Sequence, residues 1–162
     1  HEPWFKNTIF VLTSDHTNLS DHAYYQTDLG GFCSPIIIYE PGNDSRMPEI
    51  QDKIAQQIDI LPTVMGMLHY PKPYFAFGID LFNTEPEDTW AVNYLNGIYQ
   101  YVKKEHVLQF DGEKTIGVYA LSDSLMQKNL NGQLPDQPWM EQQLKAIIQQ
   151  YMSRMVEDRL QP

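Results

Sequence analysis

Asn7-Thr8-Ile9-Phe10-Val11-Leu12-Thr13-Ser14-Asp15-His16 is the stretch that decides how this chain of 162 residues reads. Residues 9–12 form a continuous apolar run of strand-forming residues without polar alternation. That is the pattern of a strand buried on both faces of a parallel sheet. The run stops at Ser14, and a carboxylate and an imidazole follow at once in Asp15 and His16. Open α/β sheets place their ligands at the carboxyl ends of central strands. Asp and His are also common ligands of zinc and manganese, so the two neighbours can reach one divalent cation. The plainer reading is that Asp15 caps the next element and His16 is a surface loop residue.

Outward from this stretch the chain keeps an α/β texture. A polar loop over residues 17–27 holds His22, and Gly30-Gly31 permits a tight turn. Pro35 opens a second apolar run, Ile36-Ile37-Ile38-Tyr39, which Pro41-Gly42 ends. The polar interval 43–49 reads as an exposed loop. A helix is expected to start near Asp59, a good N-cap, with Pro62 in its first turn. Ile60, Val64 and Leu68 would share its inner face with Leu61 and Met65. From Thr89 the texture changes to strands, beginning with Trp90-Ala91-Val92-Asn93-Tyr94-Leu95, then Asn96-Gly97, then Ile98-Tyr99-Gln100-Tyr101-Val102. Asn-Gly between two such runs is the strongest short hairpin signal. Two further runs around Val107 and Val118 complete an antiparallel meander of about four strands. Its aromatic residues read as cross-strand core pairs. The last segment is an amphipathic helix through Met140, Leu144, Ile147, Ile148, Tyr151, Met152 and Met155, expected to pack back on the sheet.

Composition narrows the function. Hydrophobic content of 42% and charged content of 20% describe a globular chain. A net charge of −10 argues against a nucleic-acid partner, which needs a basic surface. The single Cys33 excludes an internal disulfide and a Cys-rich zinc site. No stretch approaches the roughly 18–20 apolar residues of a membrane-spanning helix.

Four segments together resemble the sulfatase and lipoteichoic acid synthase (phosphoglycerol transferase) branch of the alkaline phosphatase superfamily. Thr8-Ile9-Phe10-Val11-Leu12-Thr13-Ser14-Asp15-His16 is similar to the late metal-binding motif of that family. Ser34-Pro35-Ile36-Ile37-Ile38-Tyr39-Glu40-Pro41-Gly42 is similar to its strand ending in Pro-Gly. Gln57-Ile58-Asp59-Ile60-Leu61-Pro62-Thr63-Val64-Met65 resembles its D-I-x-P-T helix start, and Phe77-Gly78-Ile79-Asp80-Leu81-Phe82 its G-x-D-L-F segment. In that family the covalent nucleophile and a further acidic ligand lie upstream of the first motif. The resemblance therefore implies that this chain is the carboxyl-terminal part of a larger enzyme, with the missing N-terminal part of the same polypeptide as its partner, and inactive alone. Residues 1–88 would belong to the α/β core, with parallel strands and helices, and residues 89–162 would be the antiparallel meander and closing helix of the same domain.

By the same resemblance, Asp15 and His16 bind one divalent metal ion. Imidazole favours Mn or Zn over Mg or Ca. The parent would transfer or hydrolyse phosphoryl or sulfuryl esters, on a phospholipid or on a sulfated or phosphorylated glycan. The implied setting is the outer face of the bacterial cytoplasmic membrane, the periplasm or the exterior. Thr17 stands where many sulfatases carry Gly, which tilts the reading toward phosphoglycerol transfer. His22, in the loop six residues beyond His16, is a candidate substrate contact or proton donor, with a solvent-exposed loop histidine as the alternative. The competing class is a non-catalytic binding or interaction module with no metal site. A part of a larger enzyme should leave apolar sheet surface uncovered, whereas a self-contained module should not.

Overall fold

In a computed structural model the chain divides into two compact units, His1–Lys53 and Ile54–Pro162. The structure describes residues 2–17, 21–43 and 53–161. Most of the expected polar loop over 43–49 lies outside the described residues. The class is mixed α/β, with antiparallel sheets, a small strand meander and a carboxyl-terminal helix.

The first unit carries β1 (Phe10–Thr13) and β2 (Ile36–Tyr39). Pro35 and Pro41-Gly42 bound β2 as their missing N–H groups and turn geometry require. The two strands pair antiparallel, with Leu12 opposite Ile37 and Phe10 opposite Tyr39. This corrects the expectation of parallel strands buried on both faces. A continuous apolar run records which surfaces need covering and carries no information about strand direction. Trp4, Phe5, Phe10 and Tyr39 cluster with ring centroids 5.5–6.4 Å apart. Beyond that cluster the sheet is open, and Leu12 and Ile37 are each 55% exposed.

The second unit begins with a short 3-10 turn, Gln57–Asp59, that runs into α1 (Ile60–Met67). The helix starts where expected, but its buried positions are Pro62 and Thr63, while Leu61 and the C-cap Leu68 stay exposed. Four strands follow in sequential order: β3 (Trp90–Leu95), β4 (Ile98–Lys103), β5 (His106–Phe110) and β6 (Thr115–Ala120). Asn96 and Gly97 both take positive φ, 53° and 86°, so the β3–β4 turn is the tight hairpin form that twists with its strands. Tyr94 and Tyr99 face each other across that hairpin at 4.5 Å between centroids.

Helix α2 (Gln137–Val156) lies on one face of this meander. Tyr101, Leu108 and Val118 line up across β4, β5 and β6 and form a core with Phe110, Met140 and Leu144. Ile147 and Ile148 pack at its margin. Tyr151, Met152 and Met155 continue the same helical stripe but are 45–48% exposed, with Tyr151 against Phe77 at 5.2 Å between ring centroids. Side-chain amides blunt both sheet edges. Gln56 donates to the Trp90 carbonyl (3.2 Å) and accepts from the Val92 N–H (3.1 Å) on the outer side of β3. Asn129 does the same on β6, accepting from the Val118 N–H and donating to the Ile116 carbonyl, both at 3.2 Å. Amides can satisfy a bare edge because they copy the donor and acceptor of a peptide group.

Candidate metal centre

Asp15 and His16 follow β1 by two and three residues and project into solvent, with side chains 87% and 74% exposed. Asp15 folds back so that its Oδ1 accepts the His16 N–H at 2.9 Å. Its Oδ2 stands 3.5 Å from His16 Nε2. The His16 Nδ1 lies 3.0 Å from the Thr17 carbonyl oxygen. A carbonyl only accepts, so Nδ1 carries a proton in this bond, and in a neutral ring Nε2 then holds the lone pair.

Nε2 of a neutral ring and Asp15 Oδ2 would then be two electron-pair donors 3.5 Å apart, whereas a doubly protonated ring would make the same approach an ion pair. Two ligand atoms each about 2.0–2.2 Å from one cation are separated by roughly 2.8–3.1 Å at octahedral angles and roughly 3.3–3.6 Å at tetrahedral ones. The pair thus fits as two adjacent ligands of a divalent ion, and a ligating histidine whose second nitrogen bonds a backbone carbonyl is the usual arrangement. Among the described residues no group of three or more His, Cys, Asp or Glu side chains converges. Asp15 and His16 together offer one oxygen and one nitrogen donor of the kind a divalent ion takes.

Thr17 anchors this corner. Its Oγ1 donates to the Cys33 carbonyl at 2.9 Å, with the Gly30 carbonyl at 3.4 Å. The loop it grips is itself bonded inward. The Cys33 N–H reaches the Gly30 carbonyl, and the Gly30 N–H reaches Thr27 Oγ1, both at 3.0 Å. Gly30 is obligatory, because a β-carbon there would overlap the Tyr24 carbonyl. Tyr24 closes the loop with its hydroxyl 2.9 Å from Cys33 Sγ. Burial holds that phenol well above its ordinary pKa, and the Cys33 thiol pushes it further.

His22 caps the 3-10 turn Ala23–Gln26, its Nδ1 accepting the Tyr24 N–H at 3.4 Å. Its ring also meets Tyr25 edge-on at 5.8 Å. The capping bond fixes the proton of the neutral ring on Nε2.

The other segments singled out in the sequence form a structural lock in the second unit. Asp59 is fully buried. Its Oδ2 accepts the Gln56 N–H and its Oδ1 the Ile79 N–H, both at 2.9 Å. Thr63 Oγ1 donates to the Asp59 carbonyl (2.6 Å) and accepts the Leu81 N–H (3.0 Å). Gly78 and Gly66 allow the approach, since a β-carbon would strike the Ile58 carbonyl at 78 and the Asp80 carboxylate at 66. Asp59 thus caps the 3-10 turn and binds the G-x-D-L-F segment, and makes no side-chain cap to α1 itself. Burial raises its pKa, the Ile79 and Gln56 N–H groups opposing.

One further concavity, of about 410 Å³, lies in the second unit among Phe77, Trp90, Tyr99, Ile147 and Tyr151. Its lining is almost wholly apolar, and the Gln56 amide at its rim is occupied on β3, so no acid–base or metal chemistry gathers there.

No curated protein matches this chain. The family model Sulfatase matches residues 4–70, the stretch that contains β1, the Asp15–His16 pair, β2 and α1. That match covers less than half of the chain, and it includes the strand and the Asp15–His16 pair that the sequence singled out.

Proposed function

We propose that this chain is the carboxyl-terminal portion of a metal-dependent sulfatase-like enzyme, one that transfers or hydrolyses phosphoryl (phosphoglycerol) or sulfuryl ester groups through a covalent nucleophile supplied by an upstream part of the same polypeptide. The observation that carries the reading is the exposed placement of Asp15 Oδ2 and His16 Nε2 3.5 Å apart, inside the segment matched by the family model. A divalent ion held there would lower the pKa of a nucleophile and neutralise charge on ester oxygens. Asp15 contributes a formal negative charge and a hard oxygen to that ion. His16 contributes a neutral nitrogen, favouring Mn or Zn over Mg or Ca. His22, if it meets substrate, offers Nε2–H as a donor, because its Nδ1 is engaged in the turn.

The open sheet beside the pair supports the assignment to a larger enzyme. Leu12 and Ile37 lie exposed on one face of β1–β2, while the meander of the second unit has its edges blunted by its own amides. Thr17 does not adopt a positive φ, so no glycine is required after His16, and phosphoglycerol transfer is the favoured branch of the reading. No helix among the described residues is long and apolar enough to cross a membrane; the extracytoplasmic setting comes with the family and belongs to the proposal.

The test is site-resolved Mn²⁺ titration of the ¹⁵N-labelled chain. At low occupancy the amides of residues 14–17 should broaden first, and Asp15→Asn or His16→Gln should abolish that preference. Uniform broadening over the acidic surface would refute the metal reading and favour a non-catalytic module.

A further inference from the structure

We infer that the apolar concavity of the second unit binds one unbranched hydrocarbon chain, carried by a neutral single-chain amphiphile taken up from solution. The inference concerns residues of the second unit alone and does not depend on the metal reading.

The cavity, of about 410 Å³, lies between α2 and the β3–β4 hairpin. Its inner end is continuous with the core. Trp90, Val92, Tyr99, Ile147 and Ile148 line it and also pack against the buried cluster that holds Leu108 and Met140. An occupant therefore extends the interface between helix and sheet and meets the same apolar chemistry. The volume is in the range of small-molecule sites. Each wall is braced by contacts of its own. On the sheet side Tyr94 and Tyr99 pack at 4.5 Å, and the Gln56 amide ties the backbone at Trp90 and Val92. On the helix side Tyr151 packs on Phe77 at 5.2 Å and Phe77 on Phe75 at 4.8 Å, with the Arg154 guanidinium 4.2 Å from the centre of the Phe75 ring. Rings held in this way cannot fold into the gap without giving up those contacts, so the site is formed before a ligand arrives.

The lining selects the occupant. None of its residues is charged, in a chain of net charge −10. The amide of Gln56 is already spent on β3. A sugar or an ion would leave its polar groups unpaired in the cavity, and that cost excludes both. The rings within each wall are tilted, by 44° for Tyr94–Tyr99 and 49° for Phe77–Tyr151, so neither wall presents a flat face for stacking a planar ligand. The remaining surface is aliphatic, from Ile58, Val92, Ile147, Ile148 and Met152, and a flexible chain can follow it. A second copy of the protein is a poor occupant. The lining side chains that reach solvent, Ile58, Tyr94, Tyr151 and Met152, are 45–58% exposed. At about 150–250 Å² for a large side chain they offer roughly 300–500 Å², short of the roughly 800 Å² per partner that a standard interface buries.

The experiment uses the full chain with Trp4→Phe and Trp139→Phe, which leaves Trp90, in the cavity wall, as the one tryptophan. Bromoalkanols of six to twelve carbons, brominated at the chain end, are titrated below their aggregation limits, and Trp90 fluorescence is read. Saturable quenching is expected. Its affinity should tighten about fourfold for each added methylene and then level off within the series, once the chain outruns the cavity. Ile58→Asp and Met152→Asp, which place a charge among the exposed lining residues, should each weaken binding about tenfold or more. Met155→Asp, on the same helix but outside the lining, should leave it unchanged. Absent or unsaturable quenching, or an affinity that climbs through the whole series without levelling, overturns the inference, and neither result needs a cavity variant. An equal loss in Met155→Asp also overturns it, since binding would then belong to the helix surface. Quenching that falls as the protein dimerises on a sizing column assigns the cavity to a second copy instead. Quenching by phosphatidylcholine vesicles with brominated acyl chains, and not by the free bromoalkanols, would make a membrane the source of the chain and refute uptake from solution.

Discussion

Leu144→Ala tests whether α2 closes the meander as a core or merely rests on it. Leu144 is fully buried among Tyr101, Leu108, Phe110, Val118 and Met140. Truncation removes three carbons from that cluster, a transfer loss of about 2.4 kcal/mol at roughly 0.8 kcal/mol per buried carbon. Aromatic rings on β4 and β5 cannot collapse far into the gap, so most of the vacated volume persists. A residual cavity of about 50–70 Å³ adds on the order of 1–2 kcal/mol at 24 cal/mol per Å³. The expected loss is about 3–4 kcal/mol, within the span seen for buried leucines.

The assay is urea unfolding followed by far-UV circular dichroism, with Met152→Ala as the control. Met152 lies two turns further along the same helical stripe but is 47% exposed, so its truncation should stay within about 0.5 kcal/mol. The urea dependence of both variants should keep the wild-type slope if the folded and unfolded surfaces are otherwise unchanged. A Leu144→Ala loss below about 1.5 kcal/mol, or one equalled by Met152→Ala, would refute the packing described here.

Three other outcomes follow from the second unit. Thr89→Val should cost about 2 kcal/mol in urea unfolding, more than Thr89→Ser, because the half-buried Ile54 N–H loses its 3.0 Å acceptor and the Pro86 carbonyl its 2.7 Å donor; a valine variant as stable as the serine one would contradict this. Gly78→Ala should lower stability by at least about 2 kcal/mol, since the new carbon meets the Ile58 backbone and not a movable side chain; a neutral substitution in thermal melts would show that the lock is loose. Asp59 has a folded-state pKa raised first by burial, so the fold holds its proton more tightly than the unfolded chain does, and its contribution is greatest below the unfolded value of about 3.9 and is lost as pH rises through the folded pKa. The stability deficit of Asp59→Asn should therefore narrow between pH 3.5 and 7 in urea titrations, and a widening deficit would reverse the sign argued here.

What the sequence made legible were features encoded locally. Asn96-Gly97 announced its hairpin because two successive left-handed residues are a short-range requirement. Pro35 and Pro41-Gly42 bounded β2 to the residue for the same reason. Periodicity found α2 but not its partner, so Met140 and Leu144 proved buried while Met152 and Met155, on the same stripe, did not. Strand direction in the first unit was illegible, because an apolar run has no polarity. The amides of Gln56 and Asn129 on the sheet edges were equally hidden, lying 34–36 and 11–13 residues from the strands they satisfy. Asp59 read as a helix cap because its composition signal is that of any N-cap, whereas its second bond reaches Ile79, twenty residues away. Asp15 and His16 were visible as a pair, but the Thr17 clasp on Cys33 depends on a loop closure that adjacent residues do not announce.

On the proposed metal reading, two ligands would also constrain where selectivity resides. Divalent first-row ions bind a given oxygen and nitrogen set in nearly the same order in every protein, so a choice among them comes from geometry and ligand number. As ligands of one ion, Asp15 and His16 would span an edge of 3.5 Å between donor atoms, the tetrahedral length for bonds of about 2.0–2.2 Å and longer than the octahedral one. The rest of the choice must then be made by whatever completes the sphere. Both side chains stand exposed beside an open apolar sheet, so covering Leu12 and Ile37 would bring a second surface to the same end of β1. Burial there would also strengthen the electrostatics of Asp15 by lowering the local dielectric. On the proposed metal reading, these residues' own contribution would be one imidazole nitrogen and one carboxylate oxygen. Affinity should rise steeply, and become selective for one ion, only when that sheet is covered.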